Sequence, residues 1–399
     1  MTNWPTKKLG DLLASCDAGV WGKPAAKDTG LFVLRSTNMA NDGKLDFSDV
    51  PELKIDKNAQ KVKLVDGDIL LEKSGGGPDQ PVGRVAYFVS QDGRAYAFAN
   101  FIQRLRVKSN VMDSHFLFYR LFFLHKIGFT KKLQSQTTGI RNLKMSLYLK
   151  TEIPIPPLAT QNQIVERLDK IAEAQKLNEG LIQKSDELFQ SLLHKELNLV
   201  GKKWEIKKME ALVENVKIGP FGSALKIAEL SDNGPVRVLF IENVVNNKFE
   251  LAKEKYISEK KYKELEVYTV EPDDILITMM GTIGRTCITP ENLGRAIISS
   301  HLIKITPNKK IAISEYLNFS LHSPYVTDQI RRRAKGAIMK GLNSKILRNL
   351  EIPFSPLETQ KQIVTKLSAV QNYKKQLLIQ KSKLKELFDS ALAKSFQYS

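Results

Sequence analysis

One signal is written twice along the chain. Glu152-Ile153-Pro154, Pro157-Leu158, Thr160-Gln161 and Gln163-Ile164-Val165 return as Glu351-Ile352-Pro353, Pro356-Leu357, Thr359-Gln360 and Gln362-Ile363-Val364, at a constant offset of 199 and with ten of the fourteen positions identical. Unrelated segments do not agree in this way, so the 399 residues arose by internal duplication.

Each copy leads into a segment that reads as a long helix. Prolines end a run of Ile and Leu, and Thr160 or Thr359 offers an N-cap oxygen ahead of a proline-free segment. Ile164, Leu168, Ile171, Gln175, Asn178, Ile182, Ser185, Phe189 and Leu192 then step by four and three, as do Ile363, Leu367, Val370, Lys374, Leu377, Lys381, Leu384, Phe388 and Ala391. This is heptad spacing, apolar at both ends of each seam and polar in its middle. Two helices of roughly 38 residues would each run on the order of 57 Å. Packing the two seams together buries both; an ordinary amphipathic core helix is the alternative for either segment alone.

The repetition extends more faintly through the rest of the chain. Trp4, Leu9 and Leu12 match Trp204, Met209 and Leu212; Gly19-Val20-Trp21-Gly22 matches Gly219-Pro220-Phe221-Gly222. Asn38 corresponds to Asn243, Asp68-Ile69-Leu70 to Asp274-Ile275-Leu276, and Gly83-Arg84 to Gly284-Arg285. The expected order is a domain over 1–158, a helix over 159–199, a second domain over 200–357 and a second helix over 358–399. Each domain is expected to hold a short helix (Lys7 to Leu13, Lys207 to Val213) and then strands such as the alternating Phe101 to Val107. An aromatic helix comes next (Asp113 to His125, Ser314 to His322), then a basic loop (Gly139 to Lys144, Arg331 to Lys340). The class is mixed α/β (α+β). Loops between the matched anchors differ, notably Leu71 to Gly83 against Ile277 to Gly284. Reading two different targets and drift after duplication both produce such a difference.

Sixty-one basic against 43 acidic side chains leave a net charge of +18 and a pI near 9.6, which favours a polyanionic partner. Two cysteines, Cys16 and Cys287, make neither a disulfide framework nor a metal quartet and suit a reducing cytoplasm. No signal peptide is visible, and the most apolar run, Phe116 to Leu124, is about half the length of a membrane span and carries Arg120, so it reads as a buried helix.

Catalytic motifs are absent. No GxxxxGK[ST] loop occurs, Gly75-Gly76-Gly77 opens onto Pro78 and reads as a flexible surface loop, and His115, His125, His194, His301 and His322 are isolated from other metal ligands. Ser323-Pro324-Tyr325 lacks the second proline of an amino-methyltransferase turn, and Pro272-Asp273, Pro78-Asp79 and Glu52-Leu53-Lys54 do not complete a nuclease motif. The remaining polar residues suit binding. Arg84, Arg104, Arg106, Arg141, Lys144, Lys217, Lys226, Arg285, Arg331, Arg332, Arg333, Lys335 and Lys340 are candidate phosphate or guanine donors; Gln103, Asn142, Asn243 and Asn343 are candidate adenine readers. For each one taken singly, a solvated surface charge or a turn amide is the competing reading.

Two variable domains, each trailed by Ile-Pro-x-x-Pro-Leu-x-x-Gln and a long helix, resemble the specificity subunits of type I restriction-modification enzymes. The resemblance covers the whole chain, and its specific part is Pro157 to Val165 and Pro356 to Val364. It implies two target recognition domains, each reading half of a bipartite site in double-stranded DNA through the major groove. It further implies an antiparallel, pseudo-twofold coiled coil that sets the gap between half-sites and docks two modification subunits. S-adenosylmethionine, ATP and Mg would then sit on partner subunits, which in some assemblies include two restriction subunits, and this chain would hold no cofactor and no active site. An N-terminal extension found in some members would be missing ahead of Trp4. The competing expectations are a self-sufficient DNA methyltransferase or nuclease with diverged motifs, and an RNA or membrane-surface adaptor.

Overall fold

The repeated Ile-Pro signal is the strand that closes each domain. Glu152–Pro154 pairs antiparallel with Thr6–Lys8, and Glu351–Phe354 with Glu205–Lys208, so the last strand of each domain returns to its first. The structure, a computed structural model, describes residues 4–26, 29–55, 59–77, 80–137, 139–202, 204–245, 247–251, 254–335 and 341–396. Its contacts divide it into two units, Met1–Glu179 with Ile379–Ser399, and Gly180–Leu378. The division falls inside both long helices, Leu158–Leu197 and Leu357–Phe396, and not at the domain ends.

In the first unit, strands β1 (Leu13–Ala18), β2 (Ile69–Glu72), β3 (Val85–Tyr87) and β4 (Ile102–Val107) form an antiparallel sheet in the order β1-β4-β2-β3. Strand β2 is buried on both faces, apolar from Ile69 to Leu71 and ending on the buried Glu72. Ile69 and Leu71 pack with helix α1 (Ser114–Lys126), while Leu70 points into a second core. That second core is walled by a sheet of Lys23–Pro24, Glu52–Lys54, Leu31–Leu34 and Tyr96–Phe98, the last two parallel. Asp113 caps α1 by accepting from the Phe116 amide at 2.8 Å, and the whole run from Phe116 to Leu124 is buried.

The second unit repeats the plan. Strands β5 (Val213–Ile218), β6 (Ile275–Thr278), β7 (Thr286–Ile288) and β8 (Leu302–Pro307) stand in the order β5-β8-β6-β7, and Val236–Leu239 runs parallel to Ala296–Ile298. Helices α2 (Ser314–His322) and α3 (Pro324–Lys335) come after them. Gly19 and Gly219 are equivalent for a steric reason. Their amides donate to Ile102 O at 3.2 Å and Leu302 O at 3.0 Å, and a Cβ would lie 2.1 Å from Ala99 O or 1.9 Å from Ser299 O.

The repeated glutamine explains why the signal recurs intact. Gln161 is fully buried; its Oε1 accepts from the Asp113 amide at 2.8 Å and its Nε2 donates to Pro156 O at 2.8 Å. Gln360 accepts from the Ile313 amide at 3.0 Å and donates to Ser355 O at 2.8 Å and Ile311 O at 3.0 Å. Each amide ties the start of a long helix to the start of a domain helix. Thr160 and Thr359 are not the caps expected of them. The helices begin at Leu158 and Leu357, which places both threonines inside the first turn.

The seams pair antiparallel within each unit. In the first, Arg167 donates to Ser395 Oγ at 2.8 Å, Gln175 to Leu384 O at 3.1 Å and Asn178 to Gln380 Oε1 at 3.1 Å, partner numbers falling as helix numbers rise. Glu179 and Lys381 add an ion pair at 3.1 Å. In the second unit Glu196 meets Lys366 at 3.0 Å and Asp186 meets Lys374. Ile164, Leu168, Ile171, Ile363, Leu367 and Leu377 are buried as the spacing requires, with Ile182, Phe189, Leu192, Val370, Leu384 and Phe388 partly so. Towards the ends, burial passes to Leu193, Leu197, Leu392 and Phe396, which the heptad reading omits. An unsupercoiled helix drifts by about 20° per heptad, and these ends pack into a domain core. Phe189 rests on Phe319 at 6.0 Å, and its equivalent Phe388 on Tyr119 at 6.2 Å and Phe122 at 6.4 Å.

Three local expectations change. The segments Lys7 to Leu13 and Lys207 to Val213 are each a strand and then a single 3-10 turn. The triple glycine is not wholly loop, since Gly75 pairs with Arg141. Neither basic loop is a loop where its arginines sit, since Ile140–Leu143 is a strand and arginines 331–333 lie on α3.

Candidate nucleic-acid interface

In the first domain, backbone hydrogen bonds gather several segments at one edge. The Gly19–Gly22 loop lies on the turn 99–102; Lys73 N donates to Phe101 O at 2.9 Å, and Leu143 N donates to Lys73 O at 2.8 Å. The hairpin Gln134–Thr137 with Ile140–Leu143 thereby stands beside that turn, and Ser74 Oγ donates to Asn142 Oδ1 at 2.7 Å. Arg141 and Asn142 are half-buried on the hairpin and Lys144 is exposed after it. Trp21 and Phe101 are exposed at the same edge.

The second domain builds the same edge from different parts. The Gly219–Gly222 loop lies on the turn 299–302, Met279 N donates to His301 O at 3.1 Å, and Leu342 N donates to Met279 O at 3.1 Å. Phe221, Met280 and His301 are exposed. Lys217 is half-buried over Tyr268 at 5.3 Å, Lys226 is exposed, and Arg285 is half-buried. Arg331 and Arg332 are exposed on α3, Arg331 paired with Asp328 at 2.8 Å. Lys335 ends α3, and Lys340 lies outside the described residues.

Several candidate donors are spent inside the fold. Arg84 is 9% exposed and grips Glu72 bidentately at 2.9 and 2.7 Å, with a further bond to Ser36 O at 3.1 Å. Arg104 is buried against Asp17 and Lys63 O, and Arg106 holds the buried Asp68 through two bonds of 2.7 Å. Asp68 pushes the Arg106 pKa further up by accepting from it. All three, expected as DNA donors, are found holding carboxylates of the fold, Arg106 with 35% of its side chain still exposed. Gln103 is also engaged within the fold, donating to Cys16 Sγ at 3.3 Å, as is Asn243, which is fully buried between Phe240 N and Glu250 O. Asn343 caps the short helix Ser344–Arg348, and Arg333 bonds Asn349 O. In the second domain Thr278 stands where the first has Glu72, so Arg285 has no such carboxylate to hold it and is the more exposed of the pair.

No group of three or more His, Cys, Asp or Glu suited to a metal occurs among the described residues. His115 is stacked between Tyr87 and Tyr119 at 4.2 and 4.8 Å, and burial pushes its pKa down. His125, against Thr130 Oγ1 at 3.0 Å, and His322, against Thr286 Oγ1 at 2.8 Å, are pushed down to about 4 by burial. Below pH 6.5 the unfolded chain takes up protons there that the folded one does not. Their stabilisation is present above that pH and is lost as pH falls towards 4, by about 2 kcal/mol per histidine at pH 5. Urea unfolding at pH 7 and pH 5 is expected to show this loss, with His322→Gln removing its share; a variant as pH-sensitive as the parent would contradict it.

A duplicated α/β domain with a basic, aromatic edge and paired helices defines a two-headed binding protein. The chain belongs to the type I restriction modification DNA specificity domain family, whose pattern matches residues 1–184 and again residues 201–387. It is 24% identical over 330 residues to the type I restriction enzyme MjaVIII specificity subunit of Methanocaldococcus jannaschii, covering 76% of this chain and 73% of that one. It is 23% identical over 415 aligned positions to the putative MjaX specificity subunit of the same organism, covering 98% and 91%. The solved type I restriction-modification S subunit from M. genitalium has the same fold, with a TM-score of 0.60 at 16% identity over 99% of this chain and 96% of that chain.

Proposed function

We propose that this chain is the DNA specificity subunit of a type I restriction-modification complex. Each domain reads one half of a bipartite duplex site, and the two long helices set the distance between the halves and dock two modification subunits. The observation that carries this is one frame built twice with unlike basic segments ahead of the closing strand, a hairpin bearing Arg141 and Asn142 in one copy and helix α3 bearing Arg331 and Arg332 in the other. The net charge of +18 suits a duplex.

On this reading the chain performs no chemistry. Modification subunits bring S-adenosylmethionine and methyl transfer, and restriction subunits, where they join, bring ATP and Mg; the assembly works in the cytoplasm. No helix among the described residues is long and apolar enough to cross a membrane. The purified chain is expected to transfer no methyl group and cleave nothing, yet to bind duplex DNA in a salt-dependent way that strengthens when the modification subunit is added. Methyl transfer by the chain alone would refute the proposal. Four residues inserted between Gln175 and Leu181 are expected to lengthen the gap and leave both half-sites unchanged, as read by methylation mapping; altered half-sites would contradict the ruler.

A further inference from the structure

We infer that Trp21 and Phe221 are the base-stacking wedges of the two domains, each ring entering its half-site at an unstacked base step. The inference rests on the reading of the chain as a DNA specificity subunit. Both rings are large and left in solvent, Trp21 at 55% and Phe221 at 63% exposure, and they occupy the same place in the two repeats, 200 residues apart. Their backbone is held on both sides. Gly19 and Gly219 are pinned to Ile102 O and Leu302 O, and Val20 N donates to Phe98 O at 3.0 Å. A Cβ at Gly22 would lie 2.3 Å from Lys54 O, and Ala224 N closes a turn onto Phe221 O at 2.9 Å.

An aromatic ring carried outward on a fixed loop loses little freedom when it stacks. The flanking charge names the partner. Lys23 and Lys54 are exposed and face each other across the strand pair beside Trp21, while Lys217 and Lys226 bracket Phe221 in the chain. Lysines interleaved with exposed rings suit a nucleic acid, with ammonium groups on phosphates and rings on base planes. An apolar protein groove has no use for the lysines. Indole in one repeat and phenyl in the other offer the same flat face, which is what sequence-tolerant stacking requires.

The test uses the full chain assembled with its modification subunit and duplexes carrying 2-aminopurine along each mapped half-site. The wild-type complex is expected to raise the fluorescence at one step in each half. Trp21→Ala abolishes that rise in the first half-site only and weakens binding roughly tenfold; Phe221→Ala does so in the second only. Trp21→Phe retains it, and the salt dependence of binding is unchanged because no phosphate contact is removed. Alanine variants that unstack DNA like the parent overturn the inference, as do variants that lose assembly with the modification subunit but keep unstacking. A wild-type complex that selects no site at all would instead overturn the specificity-subunit reading.

Discussion

Arg84→Met is expected to lower the stability of the first unit by about 4 kcal/mol, because it strands the Glu72 carboxylate, 2% exposed, without its cation. The loss of a buried partner, and not the worth of the pair, sets that figure. Copying the second domain with Glu72→Thr in the same chain, after Thr278, removes the stranded charge and is expected to recover most of the loss. Urea unfolding of the single and double variants measures both. If Arg84 were instead a phosphate donor, the single change would leave stability intact and weaken DNA binding. That outcome would return the residue to the interface.

Gln161→Ala and Gln360→Ala are expected to cost about 4 kcal/mol each. Truncating Gln161 leaves the Asp113 amide and Pro156 O unpaired away from water, and truncating Gln360 leaves the Ile313 amide with Ser355 O and Ile311 O. A buried polar group left unpaired costs about 1–3 kcal/mol. Two of the bonds are copies of each other, and the third, from Gln360 to Ile311 O, makes the loss at Gln360 the larger if the two differ. A loss under about 1 kcal/mol at either position would mean that water or a shifted side chain replaces the amide.

Glu72 and Gln161 also mark where the chain is legible and where it is not. The duplication, the strand pairing of β4 and the buried α1 arise from local signals: a repeat, a period of two, and an apolar run. The repeated glutamine is visible as an identity, but its partner at Asp113 lies 48 residues away, so its work cannot be read from spacing. Arginines look alike in sequence whether they face solvent or a carboxylate. Glu72, Asp68 and Asp17 stand 12, 38 and 87 residues from the guanidiniums they hold, and only the folded sheet brings them together. Asn38 and Asn243 match in sequence because each shapes the same turn, accepting from Arg35 N and Phe240 N. In the first domain Arg141 and Asn142 lie on a paired strand and not in the loop expected of them, with Lys144 exposed just after it. Arg331 and Arg332 are exposed too, but on a helix, since Pro324 starts a new helical segment after α2.

If each domain reads its own half of the target, the two halves are separable. Exchanging residues 1–158 for the corresponding region of a relative with a different known site, then mapping methylated bases across the genome of a host carrying the hybrid and its modification subunit, tests that separability. The predicted map keeps one half-site and the gap and replaces the other half-site with the relative's. A map in which both half-sites change, or neither does, would contradict it.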